Sequence, residues 1–195
     1  MKDWTGNSVA YSKTLGASSH ASHEREQHDY YATEPKAVRL LLECEDFVGD
    51  IWECACGEGS LATEMRKQGY LVYASDLINR GFGEVEDFLT VTDPTDMHII
   101  TNPPYKYAND FIVKAMELLQ DGKKLALFLP IRYLEGKARK QIFKLYPPRT
   151  VYVSSSRLIC AMNGEFYKQK GSAVSYAWFV WVKGYNGKTT LEWFN

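Results

Sequence analysis

The sequence predicts an α/β domain on a doubly wound, mostly parallel seven-stranded sheet with an antiparallel last strand. Three observations carry this. Short apolar runs alternate with segments of helical period from residue 50 onward. Two of the runs end in turns that combine glycine or proline with a polar side chain, the pattern of the ligand-bearing ends of such sheets. The two runs after Pro148 have a loop between them but no helical pattern, so they should pair antiparallel.

The elements follow in order. Pro35 sits where a first helical turn accepts proline, with Thr33 or Glu34 near the cap and Val38, Leu41 and Leu42 on one face. Asp50 to Cys54 reads as a buried strand, Ser60 to Gln68 as a helix stopped by Gly69, and Leu71 to Ser75 as the next strand. Residues 77–96 hold Gly81, Gly83 and Pro94 and barely suffice for a parallel crossover, so the usual helix there should be shortened or replaced by loop, with room for a short strand. Met97 to Thr101 is a strand, Tyr107 to Leu119 a helix, Lys124 to Leu129 a strand and Gly136 to Leu145 a basic helix. Val151 to Val153 and Ala173 to Lys183 complete the sheet.

Residues 1–29 are polar and lack periodicity, so they read as an N-terminal arm; residues 30–195 form one domain. No run of 18 apolar residues is present and no apolar stretch follows the first residues, so we expect a cytoplasmic protein without membrane contact. Cys44, Cys54, Cys56 and Cys160 match neither a zinc pattern nor a disulfide framework and read as reduced thiols. His20, His23 and His28 read as solvated, and no metal site is expected. The net charge of −1 conceals an asymmetry: residues 123–170 carry 11 Lys and Arg against two acids, a local +9, and the remainder is −10. That stretch suits an anionic partner such as nucleic acid, or is simply a solvated helix face with loops.

Three features carry chemistry. The first is the turn Glu53-Cys54-Ala55-Cys56-Gly57-Glu58-Gly59, where glycine lets backbone approach a ligand closely. Lys-Ser/Thr does not follow, which disfavours a phosphate loop. Ala62 stands where a dinucleotide fingerprint places its third small residue, so that alternative stays open. The second is Asp76, 19 residues beyond Gly57 at the end of the next strand, where a carboxylate accepts ribose hydroxyls or merely begins a turn. The third is Asn102-Pro103-Pro104-Tyr105 at the end of another strand. Two prolines fix the backbone and lack N–H donors. An asparagine side chain and a proline carbonyl can then both accept from one amino group, while Tyr105 offers a flat ring for a base. Alone, the tetrapeptide could be a Pro-Pro turn; in register with the glycine turn and Asp76 it points to methyl transfer onto a planar amino nitrogen.

On these residues the chain resembles the amino-methyltransferases with the Asn-Pro-Pro-Tyr motif, specifically the small DNA N6-adenine methyltransferases of phages and bacteria, over roughly residues 29 to 185. The resemblance implies a Rossmann-like class I fold, S-adenosylmethionine as cofactor and DNA, single- or double-stranded, as partner. It also implies a gamma-like order, with the cofactor loop before the catalytic loop. Catalysis would fall to Asn102, Pro103, Pro104 and Tyr105, with Asn102 also among the cofactor-binding residues. Tyr31, Ala32, Thr33 and Pro35 would meet the methionine moiety, and so would Ala55, Cys56, Gly57 and Gly59. Glu53 would take the amino group, and Asp76 with Leu77 the ribose. Asp87 would hydrogen-bond the cofactor adenine and Phe88 would stack on it. Tyr167, or failing that Phe166, would stack on a flipped base, with Lys168 and Lys170 at phosphates.

Larger enzymes of this class carry a separate target-recognition domain, which is not expected here. Sequence reading would then be minimal, or come from the loop around Arg157 to Lys170, or from a protein partner. The alternatives are the same chemistry on an RNA base or a protein glutamine, and a catalytically silent cofactor-binding subunit of a larger complex. A nicotinamide oxidoreductase leaves residues 102 to 105 unexplained.

Overall fold

The computed structural model describes residues 31–162 and 174–195. In chain order it contains β1 (Tyr31–Thr33), α1 (Pro35–Cys44), β2 (Ile51–Glu53), α2 (Ser60–Lys67), β3 (Val72–Asp76) and β4 (Glu84–Val85). A 3₁₀ turn (Phe88–Thr90), β5 (His98–Thr101), a second 3₁₀ turn (Tyr105–Tyr107), α3 (Ala108–Leu118) and β6 (Lys124–Pro130) follow. A third 3₁₀ turn (Ile131–Leu134), α4 (Lys137–Leu145), β7 (Thr150–Ser154), β8 (Cys160–Met162), β9 (Tyr176–Val182) and β10 (Thr190–Phe194) complete the order. The N-terminal arm and the expected base-stacking segment with Phe166, Tyr167, Lys168 and Lys170 lie outside the described residues.

The alternation expected from the sequence builds the expected mixed sheet, in the order β10-β7-β9-β6-β5-β2-β3-β4. It has eight strands among the described residues, not seven. β9 runs antiparallel to both β6 and β7, as expected of the two runs after Pro148. It is not the last strand, because β10 follows and pairs parallel with β7 at the edge. Thr190 to Phe194 is a short run of strand-favouring residues behind a glycine-containing turn. A separate two-stranded ribbon pairs β1 with β8 antiparallel, with Thr33 opposite Cys160.

Period-two alternation divides the core. In β6, Leu125, Leu127 and Leu129 face one side and Ala126 and Phe128 the other. In β9, Phe179 and Trp181 join the first set and Trp178 and Val180 the second. The first face packs on α3 through Phe111, Ile112 and Ala115, with Ile142 and Phe143 of α4 beside them. The second packs on Val38 and Leu41 of α1 and Leu61 and Met65 of α2. Trp178 donates its indole N–H to the Ala37 carbonyl at 2.8 Å, so the sheet grips α1 by a buried bond as well as by area.

No α-helix joins β3 to β5: residues 77–97 hold only β4 and a 3₁₀ turn among loops. The shortage of residues read from the sequence is met in that way. Strand succession reverses at β2, which has β5 on one side and β3 on the other. In open α/β sheets the crevice beyond the carboxyl ends of the strands at such a reversal is the ligand position. Among the described residues no helix is long and apolar enough to cross a membrane.

Candidate active site

β2 delivers Glu53 to the reversal, and the chain then turns into α2. Gly57 and Gly59 have φ of 56° and 81°, a left-handed region that side chains with a Cβ rarely adopt. A Cβ on Gly59 would lie 2.4 Å from the Phe82 ring. The close approach at Gly59 is therefore to protein. Neither glycine lines the cleft; Cys54, Ala55, Cys56, Ser60 and Leu61 of the same turn do. Gly57 acts instead through its N–H, which donates to Asp76 Oδ2 at 2.8 Å.

Asp76 ends β3, and its other oxygen, Oδ1, accepts from the Ile78 N–H at 2.9 Å. Two backbone donors thus orient the carboxylate, and each oxygen keeps a lone pair for a further donor. Glu53 is 2% exposed, and its Oε2 has no hydrogen-bond partner among the described residues. Burial pushes its carboxyl well above the ordinary range; a bond from the Ala62 backbone opposes this and the charge of Asp76 reinforces it. Asp87 caps the first 3₁₀ turn by accepting from the Leu89 N–H at 3.0 Å. Phe88 packs edge-on to Trp52, with centroids 5.2 Å apart, and against Phe111 at 4.9 Å. Phe88 therefore belongs to the core as well as to the cleft wall.

Asn102 leaves the end of β5. Its amide Nδ2 donates to Thr33 Oγ1 of β1 at 2.8 Å and approaches Cys160 Sγ of β8 at 3.9 Å. The Tyr105 hydroxyl lies 3.6 Å from the same sulfur and also bonds Tyr176. Its hydroxyl is thus tied into the protein while its side chain borders the cleft. Burial raises the Tyr105 phenol well above its ordinary value and the Cys160 thiol to about 11. Both hold their protons at neutral pH and form a neutral network under the motif.

These parts meet in one cleft of about 490 Å³, within the range of small-molecule sites. It brings together Ala32, Thr33, Glu53, Ala55, Cys56, Asp76, Leu77, Asp87, Phe88, Asn102, Pro103, Pro104 and Tyr105. Pro35 is not on the wall and opens α1 as its position predicts; Tyr31 contributes backbone pairing in β1. Sequence reasoning missed Ile78, Arg80, Lys106, Tyr107 and Phe111 on the wall. It also missed Cys160, 58 positions from Asn102, for which no local pattern signals a role. The donor and acceptor set fits an adenosyl amino-acid cofactor: a buried carboxylate oxygen awaits a cation, and an oriented carboxylate awaits hydroxyl donors.

No family model and no curated protein matches the sequence. The fold does match solved structures. A candidate RNA methyltransferase from Pyrococcus horikoshii superposes with a TM-score of 0.61 at 14% identity, over 91% of this chain and 99% of the other. The modification subunit of a candidate type I restriction enzyme from Vibrio vulnificus gives 0.57 at 13% identity, over 93% of this chain and 48% of the other. This chain therefore spans about half the length of that subunit. An S-adenosylmethionine-dependent O-methyltransferase from Thermotoga maritima gives 0.51 at 15%, over 79% and 66%. The fold is the Rossmann-like one of class I S-adenosylmethionine-dependent methyltransferases.

Proposed function

We propose that this chain transfers a methyl group from S-adenosylmethionine to the N6 amino group of adenine in DNA. Residues 30–195 are the methyltransferase domain in this reading. The observation that carries it is the placement of Asn102 at the end of β5, on the same cleft as the buried Glu53 and the oriented Asp76.

Glu53 would hold the methionine ammonium, Asp76 the ribose hydroxyls, and Asp87 with Phe88 the adenine edge and face. The cofactor, when bound, supplies an electrophilic methyl on a sulfonium. The chain's own residues position the acceptor. Asn102 Oδ1 and the Pro103 carbonyl accept the two N–H bonds of the amino group and localise its lone pair. Held in this way, the amino nitrogen would be presented to the methyl that the cofactor would supply. The extra proton leaves nitrogen for water afterwards, so no general base is required before attack. Orientation and electrostatics carry the acceleration.

DNA as the polymer is supported by charge. α4 bears Lys137, Arg139, Lys140 and Lys144 and no acid. None of its lysines enters an ion pair among the described residues. The likeness to a restriction modification subunit points the same way, and the likeness to a candidate RNA methyltransferase names the rival. The deciding experiment incubates the protein with radiolabelled S-adenosylmethionine and plasmid DNA, total RNA or a protein lysate, then digests and identifies the labelled product. N6-methyldeoxyadenosine is expected. Label confined to RNA or to glutamine would reject the DNA reading, and no transfer to any acceptor would favour a silent cofactor-binding subunit.

A further inference from the structure

Thr33 lies on the cofactor side of the cleft, where the family resemblance assigns it to the methionine moiety, yet its hydroxyl is committed to the catalytic side. Oγ1 accepts from Asn102 Nδ2 at 2.8 Å across 69 positions of chain. Thr33 is 2% exposed, so little water reaches that bond. The acceptor is itself held, because β1 pairs with β8 through the register Thr33–Cys160. Just beyond, the Glu34 N–H donates to the Ile159 carbonyl at 3.1 Å, and the Ile159 N–H donates to Glu34 Oε1 at 2.8 Å. Cys160 Sγ sits 3.9 Å from Thr33 Oγ1 and offers the threonine hydroxyl proton an acceptor, which leaves Oγ1 free to receive Asn102.

An asparagine amide turns easily about its last torsion, which is broad and roughly two-fold. A substrate amino group needs the amide oxygen and is repelled by the amide nitrogen, which only donates. We propose that Thr33 is a positioning residue: its hydroxyl engages Asn102 Nδ2 and so turns Oδ1 toward the methyl acceptor. This rests on the amino-methyltransferase reading above. It also couples the two halves of the site, because a strand that borders the cofactor sets the rotamer of the residue that holds the substrate.

The test compares Thr33→Val, which keeps the shape and removes the hydroxyl, with Thr33→Ser, which keeps the hydroxyl. For Thr33→Val we expect single-turnover methylation to fall about 10- to 100-fold while cofactor Kd stays within about threefold. Thr33→Ser should recover most of the rate. Equal losses of rate and cofactor affinity in Thr33→Val, or a wild-type rate, would overturn the proposal. A second readout needs no activity. The Asn102 side-chain amide protons, identified in nitrogen-15 spectra by their loss in Asn102→Asp, should be shielded from exchange in the wild type and Thr33→Ser and unshielded in Thr33→Val. Rapid exchange in the wild type would refute the bond. If the wild type methylates no acceptor, the amino-methyltransferase reading falls while the amide signal still decides the role of Thr33.

Discussion

One end of the Asn102 amide is bonded to Thr33; in the proposed function the other end would hold the methyl acceptor, so removing the side chain should separate catalysis from folding. Asn102→Ala should lower turnover by at least about 100-fold, the scale of removing one preorganised polar group from a transition state. Cofactor affinity by calorimetry should change little. Glu53 gives a pH signature. Burial holds its carboxyl protonated above the ordinary pKa in the free protein. In the proposed function a bound ammonium would favour the carboxylate, so cofactor binding should expel a proton, and affinity should rise with pH until the free carboxyl ionises unaided. Calorimetry in two buffers of different ionisation enthalpy should detect that proton, and Glu53→Gln should abolish it. Asn102 and Asp76 were picked out by their places at the ends of apolar runs and Glu53 by the family resemblance; the structure sets all three on one cleft. The bond from Asn102 to Thr33 was not legible in the sequence, because no local rule links residues that meet only through folding.

Strands and helices with a full period were read close to their observed bounds, whereas β1 and β8, of three residues each, were too short to show a period. Their ribbon exists by pairing, and pairing is a tertiary event. A second tertiary joint lies at the other end of α1. Glu45, 4% exposed, accepts hydrogen bonds from Lys124 of β6, Arg149 just before β7, and Tyr152 of β7. Burial alone would raise the Glu45 carboxyl, but the Lys124 and Tyr152 bonds and the two positive charges outweigh it and hold the carboxyl below its ordinary value. A depressed carboxyl stabilises the fold above its unfolded pKa, near 4.5, and the contribution fades as pH falls through the folded value. Glu45→Gln should therefore cost roughly 3–5 kcal/mol in urea unfolding at pH 7, the scale of breaking a buried ion pair, with the gap to wild type closing in acid. In the proposed function α4 would contribute through its charge. Lys137→Glu with Lys140→Glu should weaken DNA binding and flatten its logarithmic salt slope by about 2, as loss of two phosphate contacts requires, with cofactor affinity unaltered. Fluorescence anisotropy across a salt series measures both.

On the scale of the molecule, the fold class and the position of the cleft follow from alternation and from the reversal of strand order at β2. The strand count did not, since an edge strand such as β10 has a solvent-facing side and a pattern that an irregular tail can share. The cleft lies beyond the sheet rim, so in the proposed function an adenine would reach it only out of its stack. Extrusion from duplex costs a few kcal/mol that single-stranded DNA is spared. Single-stranded oligonucleotides should therefore be methylated at least as fast as the matching duplex, and a side-by-side rate comparison that strongly favoured duplex would contradict this. The ribbon beneath Asn102 has a last consequence, in time. Thr33 and Cys160 stand 127 positions apart, and closing so long a loop is an entropic cost met only when most of the intervening chain has condensed. During synthesis the glycine turn, Asp76 and the Asn-Pro-Pro-Tyr segment all leave the ribosome well before Cys160 does. A nascent chain can thus shape the middle of its sheet early and still lack an ordered Asn102 amide until its last third has emerged.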